Sequence, residues 1–415
     1  MDNFDIKDEI EILERHKEDG IKFISASSYS ENLQAYLKNI SLSDFKQGDI
    51  GNCGLIAAVA AISQRSEFLS EIVPKIEQTS EGMKLHFKMF YKGNSITITI
   101  DDKLPCRLSE DVLSLVYAGT PQNNNIGLAS FFEKVVVQYA CFNSYKNSVG
   151  INPQFVFSLF SDCMTSSRLW FKTDSKQHLM KHLKWEVDNE SSVLMIIIPD
   201  LIYEPERDED PSHAYVVMGY NSEHKAIKLF NPNHRKRNSC ENLPLSITEL
   251  ANPIKGELWT TLDQLEKRAV FIESLYSKTM YKSVFQVKKE VKPSTFDKKY
   301  SKVIYSCKIN AKEASTFMMN ILSFTHEAYA IGICVITAGK EKRKVALNYE
   351  LPPEFVSYPT IKKGEAKSIV YSRFKLQPNE YVFKIEVLFI KTNAEKVNLL
   401  LKIGSISEST FEEIP

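Results

Sequence analysis

The chain lacks the features that would place it outside ordinary globular proteins. Its 415 residues begin MDNFDIKDEIEILERHKEDG, which has neither the basic flank nor the apolar centre of a secretory leader. The longest strongly apolar run, Val193–Ile198, stops at Pro199 and Asp200, far short of the roughly 20 residues that cross a bilayer. A cytoplasmic location is the resulting expectation. The 7 cysteines, at 53, 106, 141, 163, 240, 307 and 334, are odd in number, scattered, and never spaced as CxxC. This argues against a disulfide framework and against a structural zinc site, and treats most of them as buried small hydrophobes. There is no internal repeat and no low-complexity tract. Charge of one sign is missing too: 52 Lys and Arg balance 52 Asp and Glu, so nothing points to a nucleic-acid partner.

What is present is 43% hydrophobic and 25% charged residues, the usage of a chain that folds, at a length that calls for two or three domains. Residues 281–415 hold 22 Lys and Arg against 14 Asp and Glu, leaving 30 against 38 for the first 280. An acidic region therefore precedes a basic one, and the basic one is the candidate for docking to a membrane or a protein. In the first region, LIAAVAA at 55–61 and GLASFFEKVVVQYACFN at 127–143 predict buried helices, and MKLHFKMFYKGNSITITI at 83–100 predicts a hairpin turning at Lys92-Gly93-Asn94. Strands are expected at 192–198, 213–220, 226–230 and 269–274, forming an antiparallel sheet against the helical half. Six more, at 301–309, 318–324, 330–338, 368–376, 381–390 and 397–403, predict an all-β sandwich at the C-terminal end.

One constellation carries chemistry. Cys53 lies in Gln47-Gly48-Asp49-Ile50-Gly51-Asn52-Cys53-Gly54, a glycine-punctuated loop running into the first helix. A helix N-terminus presents unpaired N–H groups and partial positive charge, which favours the thiolate, the form that attacks a carbonyl. Gln47 is placed to supply one oxyanion donor beside the backbone N–H of Cys53. His213 opens the strand HAYVVMGY and is expected to project from a sheet edge as the base. Asn231, fixed by Pro232, is expected to orient the imidazole. A transglutaminase-like acyl transferase would use aspartate in that third role.

These motifs resemble those of calpain-type cysteine proteases, within the papain-like clan. The stretch from Ser43 to Cys53 is similar to D-x-x-Q-G-x-L-G-D-C-W, Ser212-His213-Ala214-Tyr215 to G-H-A-Y, Phe230-Asn231-Pro232 to R-N-P-W, and Gly256-Glu257-Leu258-Trp259 to G-E-F-W. The resemblance implies an α+β papain-like core of two subdomains followed by a C2-like antiparallel β-sandwich. Residues 1–165 would carry the nucleophile, 166–280 the His and Asn, and 285–415 the sandwich. It implies an intracellular endopeptidase acting on protein substrates through an acyl-enzyme, with catalytic Cys53, His213, Asn231 and Gln47. The alternative is a catalytically weak scaffold or regulatory protein working through its sandwich. Gly54 and Asn233 stand where the family has tryptophan, and the second tryptophan normally shields the His–Asn hydrogen bond from water, so its absence bears on the strength of that bond and on turnover. The resemblance also implies two calcium sites. Asp44 and Glu257 match one ligand of each, but Lys255 sits beside the second, and 126–128 lack the carboxylate of the family's Glu-Phe-Trp. The expectation is no cofactor, with calcium allowed only by resemblance. The acidic run Glu204, Glu206, Asp208, Glu209 and Asp210 reads as a solvated loop, and no EF-hand pattern occurs.

Overall fold

The computed structural model describes residues 21–414 apart from 27–39, 81, 92–93, 110–111, 120–126, 142–143, 171–175, 199–212, 235–255, 264, 266–268, 292–300, 324–328, 339–340, 348–366 and 392–396. Lys255, Ile126, the acidic loop at 204–210 and the turn residues Lys92 and Gly93 lie outside it.

The first region is built round the helix Cys53–Ser63, whose residues Gly54 to Ile62 are all buried. Such a helix has no polar face, so it must sit inside the core rather than on it. Its alanines let neighbours approach closely, and large rings fill the space around it. Phe132, on the helix Leu128–Ala140, packs edge-on against Phe87 at 5.3 Å and Phe160 at 4.9 Å. Phe160 belongs to a further helix, Pro153–Phe160, started by proline at its first turn and by Asn152, whose side chain accepts from the Gln154 N–H at 2.8 Å. The expected hairpin is present as Gly82–Tyr91 paired with Asn94–Asp101, Tyr91 opposite Asn94.

Beside these helices lies a six-stranded antiparallel sheet, in the order 257–261, 226–230, 213–221, 192–198, 269–275, 165–170. Alternation along its strands assigns two apolar faces. Leu194, Ala214 and Val216 join the core around the Cys53 helix. Val193, Tyr215 and Val217 instead pack with Leu179 and Leu183 of the helix Lys176–Asp188. Both faces being covered explains why these strands read as continuous apolar runs.

The C-terminal region holds two antiparallel sheets. One has the order 283–291, 397–405, 315–323, 367–376, and the other 341–347, 329–338, 379–391, 301–311, 409–414. Phe411 of the second stacks on Phe285 and meets Phe317 edge-on, both in the first, so the sheets touch through aromatic side chains. All six expected strands form. Ser283–Val291, Glu341–Leu347 and Ser409–Ile414 were not expected, because their charged residues dilute the apolar alternation. This region rests on the preceding one through a buried cluster of Met164, Tyr276, Tyr281 and Met318.

Candidate active site

Cys53 is the first residue of its helix, where no preceding carbonyl is available to its N–H. The approach to it is tightly constrained. A Cβ at Gly48 would lie 2.3 Å from the backbone of Tyr117, and one at Gly54 would lie 2.3 Å from the Ile151 carbonyl oxygen. Gly54 is thus required by the close passage of 151–153, and this backbone leaves no room for the larger side chain of the similar motif. Asn52, fully buried, donates from Nδ2 to Glu133 Oε1 at 2.5 Å, while its carbonyl accepts the N–H groups of Leu55 and Ile56. Glu133 also accepts from the Ala118 N–H at 2.9 Å. The one carboxylate of a helix rich in apolar residues was the sequence signal for this anchor, and it was missed.

His213 opens the 213–221 strand, but that strand is interior, flanked by 192–198 and 226–230, so the histidine lies at a strand end and not at a sheet edge. Its Nε2 lies 2.8 Å from Asn231 Oδ1. An amide oxygen accepts, so Nε2 carries the hydrogen and Nδ1 is left for the thiol. The Asn231 oxygen is itself oriented by the Asn233 N–H at 2.9 Å. The pair is well removed from water without a tryptophan at 233: His213 is 8% and Asn231 1% exposed, and the Tyr215 ring stands edge-on to the imidazole at 4.8 Å.

Burial by itself would push the Cys53 thiol up, but its hydrogen bond with His213, the charge of that imidazole, and backbone bonds at Ala214 and Gly54 outweigh it, and the thiol ends below its ordinary value. Burial would likewise lower His213, yet the hydrogen bond and charge of Cys53, with the bond to Asn231, raise it. Both shifts favour a thiolate beside an imidazolium.

Gln47 donates from Nε2 to the Ile50 carbonyl at 2.7 Å. That bond fixes which end of the amide is nitrogen and leaves its second N–H for another acceptor. The Gln47 backbone N–H donates to the Pro232 carbonyl at 2.9 Å, tying the cysteine loop to the turn that carries Asn231. The four residues singled out in the sequence therefore meet in one place.

The calcium candidates do not. Asp44 Oδ2 accepts from the Ser41 N–H at 2.6 Å in a helical cap. Glu257 Oε1 is paired with Lys228 Nζ at 2.9 Å across adjacent strands, with Oε2 buried and without a hydrogen-bond partner. A divalent cation at Glu257 would have to displace or tolerate that ammonium, and among the described residues no three His, Cys, Asp or Glu side chains cluster as ligands. Among the described residues each carboxylate thus already has a donor of its own, an N–H at Asp44 and an ammonium at Glu257.

Compared with known proteins, residues 3–242 match the calpain family cysteine protease domain, more than half of the chain. The chain belongs to the calpain family. Among its curated relatives, Calpain-A of Drosophila melanogaster is 28% identical over 106 residues, covering 25% of this chain and 12% of that protein. The calpain-2 catalytic subunit of Bos taurus is 28% identical over 93 residues, 22% of this chain and 13% of that one. The calpain-1 catalytic subunit of Bos taurus is 26% identical over 136 residues, 32% and 18%. The alignments thus span less than a fifth of these calpains' own lengths. Among solved structures, the mosquito-larvicidal Cry4Aa toxin of Bacillus thuringiensis aligns at a TM-score of 0.17 and 13% identity over 54% of this chain and 42% of that one, too low to inform the fold. Within this calpain-family chain the matched segment contains Gln47, Cys53, His213 and Asn231.

Proposed function

We propose that this calpain-family protein is a cytoplasmic endopeptidase that cuts protein substrates through an acyl-enzyme. In this reading residues 1–165 and 166–280 are the two subdomains of a papain-like core, and 285–415 is a C2-like sandwich whose basic surface docks the enzyme to a membrane or protein. The observation that carries it is the imidazole of His213, bonded to Asn231 on one nitrogen and to the Cys53 thiol.

The Cys53 thiolate adds to the scissile carbonyl, whose oxygen becomes an oxyanion facing the Cys53 backbone N–H and the second N–H of Gln47. His213 passes its proton to the leaving amine as the C–N bond breaks, giving a thioester. It then takes a proton from water as that water adds to the thioester carbonyl, and keeps it as the C–S bond breaks and the sulfur leaves as thiolate, which restores the ion pair. Asn231 holds the ring throughout. No step needs a metal, and the engagement of Asp44 by Ser41 and of Glu257 by Lys228 supports activity that does not depend on micromolar Ca²⁺.

The test is hydrolysis of casein and fluorogenic peptides by the full chain, with and without Ca²⁺, alongside Cys53→Ala. Activity lost in the variant with the circular dichroism spectrum unchanged is the expected result. Turnover by Cys53→Ala at the wild-type rate would overturn the assignment.

A further inference from the structure

His234 lies just beyond the Asn231-Pro232-Asn233 turn and has a backbone φ of +56°. That left-handed conformation is uncommon for a residue with a side chain, and histidine is among the few enriched there, so it marks the position without requiring glycine. Its Nε2 donates to the Phe45 carbonyl at 3.1 Å, across 189 residues of sequence. The ring also stands edge-on to Phe230 at 5.4 Å. On the far side of this contact Phe45 is fully buried, and two residues on, the Gln47 N–H donates to the Pro232 carbonyl. Two bonds, one from the imidazole and one to the backbone, therefore clamp the 45–47 segment against the turn that carries Asn231. The turn is held in its own right: the His234 N–H donates to the Asn231 carbonyl at 2.9 Å, and the Asn231 N–H to the Gly256 carbonyl at 2.8 Å.

We infer that His234 is a positioning residue for the oxyanion hole, its imidazole holding the Phe45–Gln47 segment so that the Gln47 side chain stays aligned with the Cys53 N–H. The inference rests on the protease reading above. The clamp bears on Gln47 and leaves the thiol alone, because the bonds that set the Cys53 thiolate come from His213, Ala214 and Gly54. Its loss should thus damage stabilisation of the oxyanion while sparing formation of the nucleophile.

Two probes separate those effects on the full chain. Iodoacetamide alkylation of Cys53, followed by peptide mass mapping, reads the thiolate alone. A peptide aldehyde forms a tetrahedral adduct and reads the oxyanion hole as well. His234→Gly removes the ring while relaxing the backbone, and His234→Asn, which also tolerates positive φ, serves if the glycine variant fails to fold. The expected result is alkylation within twofold of wild type, and aldehyde binding weakened on the order of 10- to 100-fold, as for a misplaced catalytic group. Combining His234→Gly with Gln47→Ala should weaken binding no further than Gln47→Ala alone, since both act through one amide. Aldehyde binding unchanged in His234→Gly, or losses that multiply in the double variant, would overturn the role of His234 and leave the protease reading standing. A wild-type protein that neither binds the aldehyde nor alkylates faster at Cys53 than at its other thiols would overturn the protease reading, and this role with it.

Discussion

The start of the first helix, with the half-buried Cys53, and the 301–311 strand of the C-terminal sheets, with the buried Cys307, hold thiols with opposite outcomes. At Cys307 burial is the main influence, assisted by the nearby Glu413 carboxylate, and the thiol is pushed up to about 12. At Cys53 burial acts in the same direction but is overcome by His213 and two backbone bonds. Burial of a thiol is thus neutral about function: a cation and donors aimed at the sulfur turn a small hydrophobe into a nucleophile. Glu133 is intermediate, since Asn52 and Ala118 donate to it and yet burial still lifts it to about 7.

The comparison breaks most severely at His213. His213→Ala should remove the largest influences that hold the Cys53 thiol down, leaving only the backbone bonds at Ala214 and Gly54 against burial, so Cys53 would move toward Cys307. Peptidase activity should fall about as far as in Cys53→Ala, because members of such a unit fail together, and the alkylation profile of Cys53 should move above the ordinary thiol value. Retention of a depressed profile would show that the helix end alone activates the sulfur.

Asn231→Ala should cost less, on the order of tenfold to a hundredfold in turnover. Its bond is one of the influences that raise His213. Since activity needs the imidazole protonated, the alkaline limb of the rate profile should shift to lower pH in the variant, and an unmoved limb would separate Asn231 from the tautomer role.

For Glu133 the readout is stability. A carboxyl lifted from 4.5 to about 7 on folding binds a proton more tightly in the native state. The Glu133 contribution to folding is therefore fully present below about 4.5 and is lost as pH rises through about 7, on the order of 3 kcal/mol over the window. Urea titrations at several pH values should show that slope in wild type and a flatter one in Glu133→Gln.

The smallest effect is expected at Cys307→Ala: stability lower by about 1 kcal/mol for the lost buried volume, and unchanged peptidase activity. A loss of activity there would give the C-terminal sheets a part in catalysis.

The sequence by itself determined where the first helix begins, through an unbroken small and apolar run behind a glycine-rich loop, and which strands form the six-stranded sheet, through apolar runs bounded by polar turns. It also supplied the site's residue types in order, since local chemistry such as Asn-Pro or Gly-Asn-Cys-Gly is visible without a fold. What it did not determine are the pairings between distant segments. The Ser301–Ala311 strand was legible, whereas the lysine-rich Glu341–Leu347 strand is defined by its pairing with 332–338. Lys228 on Glu257, Asn52 on Glu133 and His234 on the Phe45 carbonyl each join residues 29 to 189 positions apart. Hydrogen bonds and ion pairs depend on separations of a few tenths of an ångström, and only the packing of helices against the sheet sets those distances. Tertiary structure therefore decided that Cys53 faces His213, that Asp44 and Glu257 are engaged by Ser41 and Lys228, and that a histidine at positive φ clamps the two sides of the site.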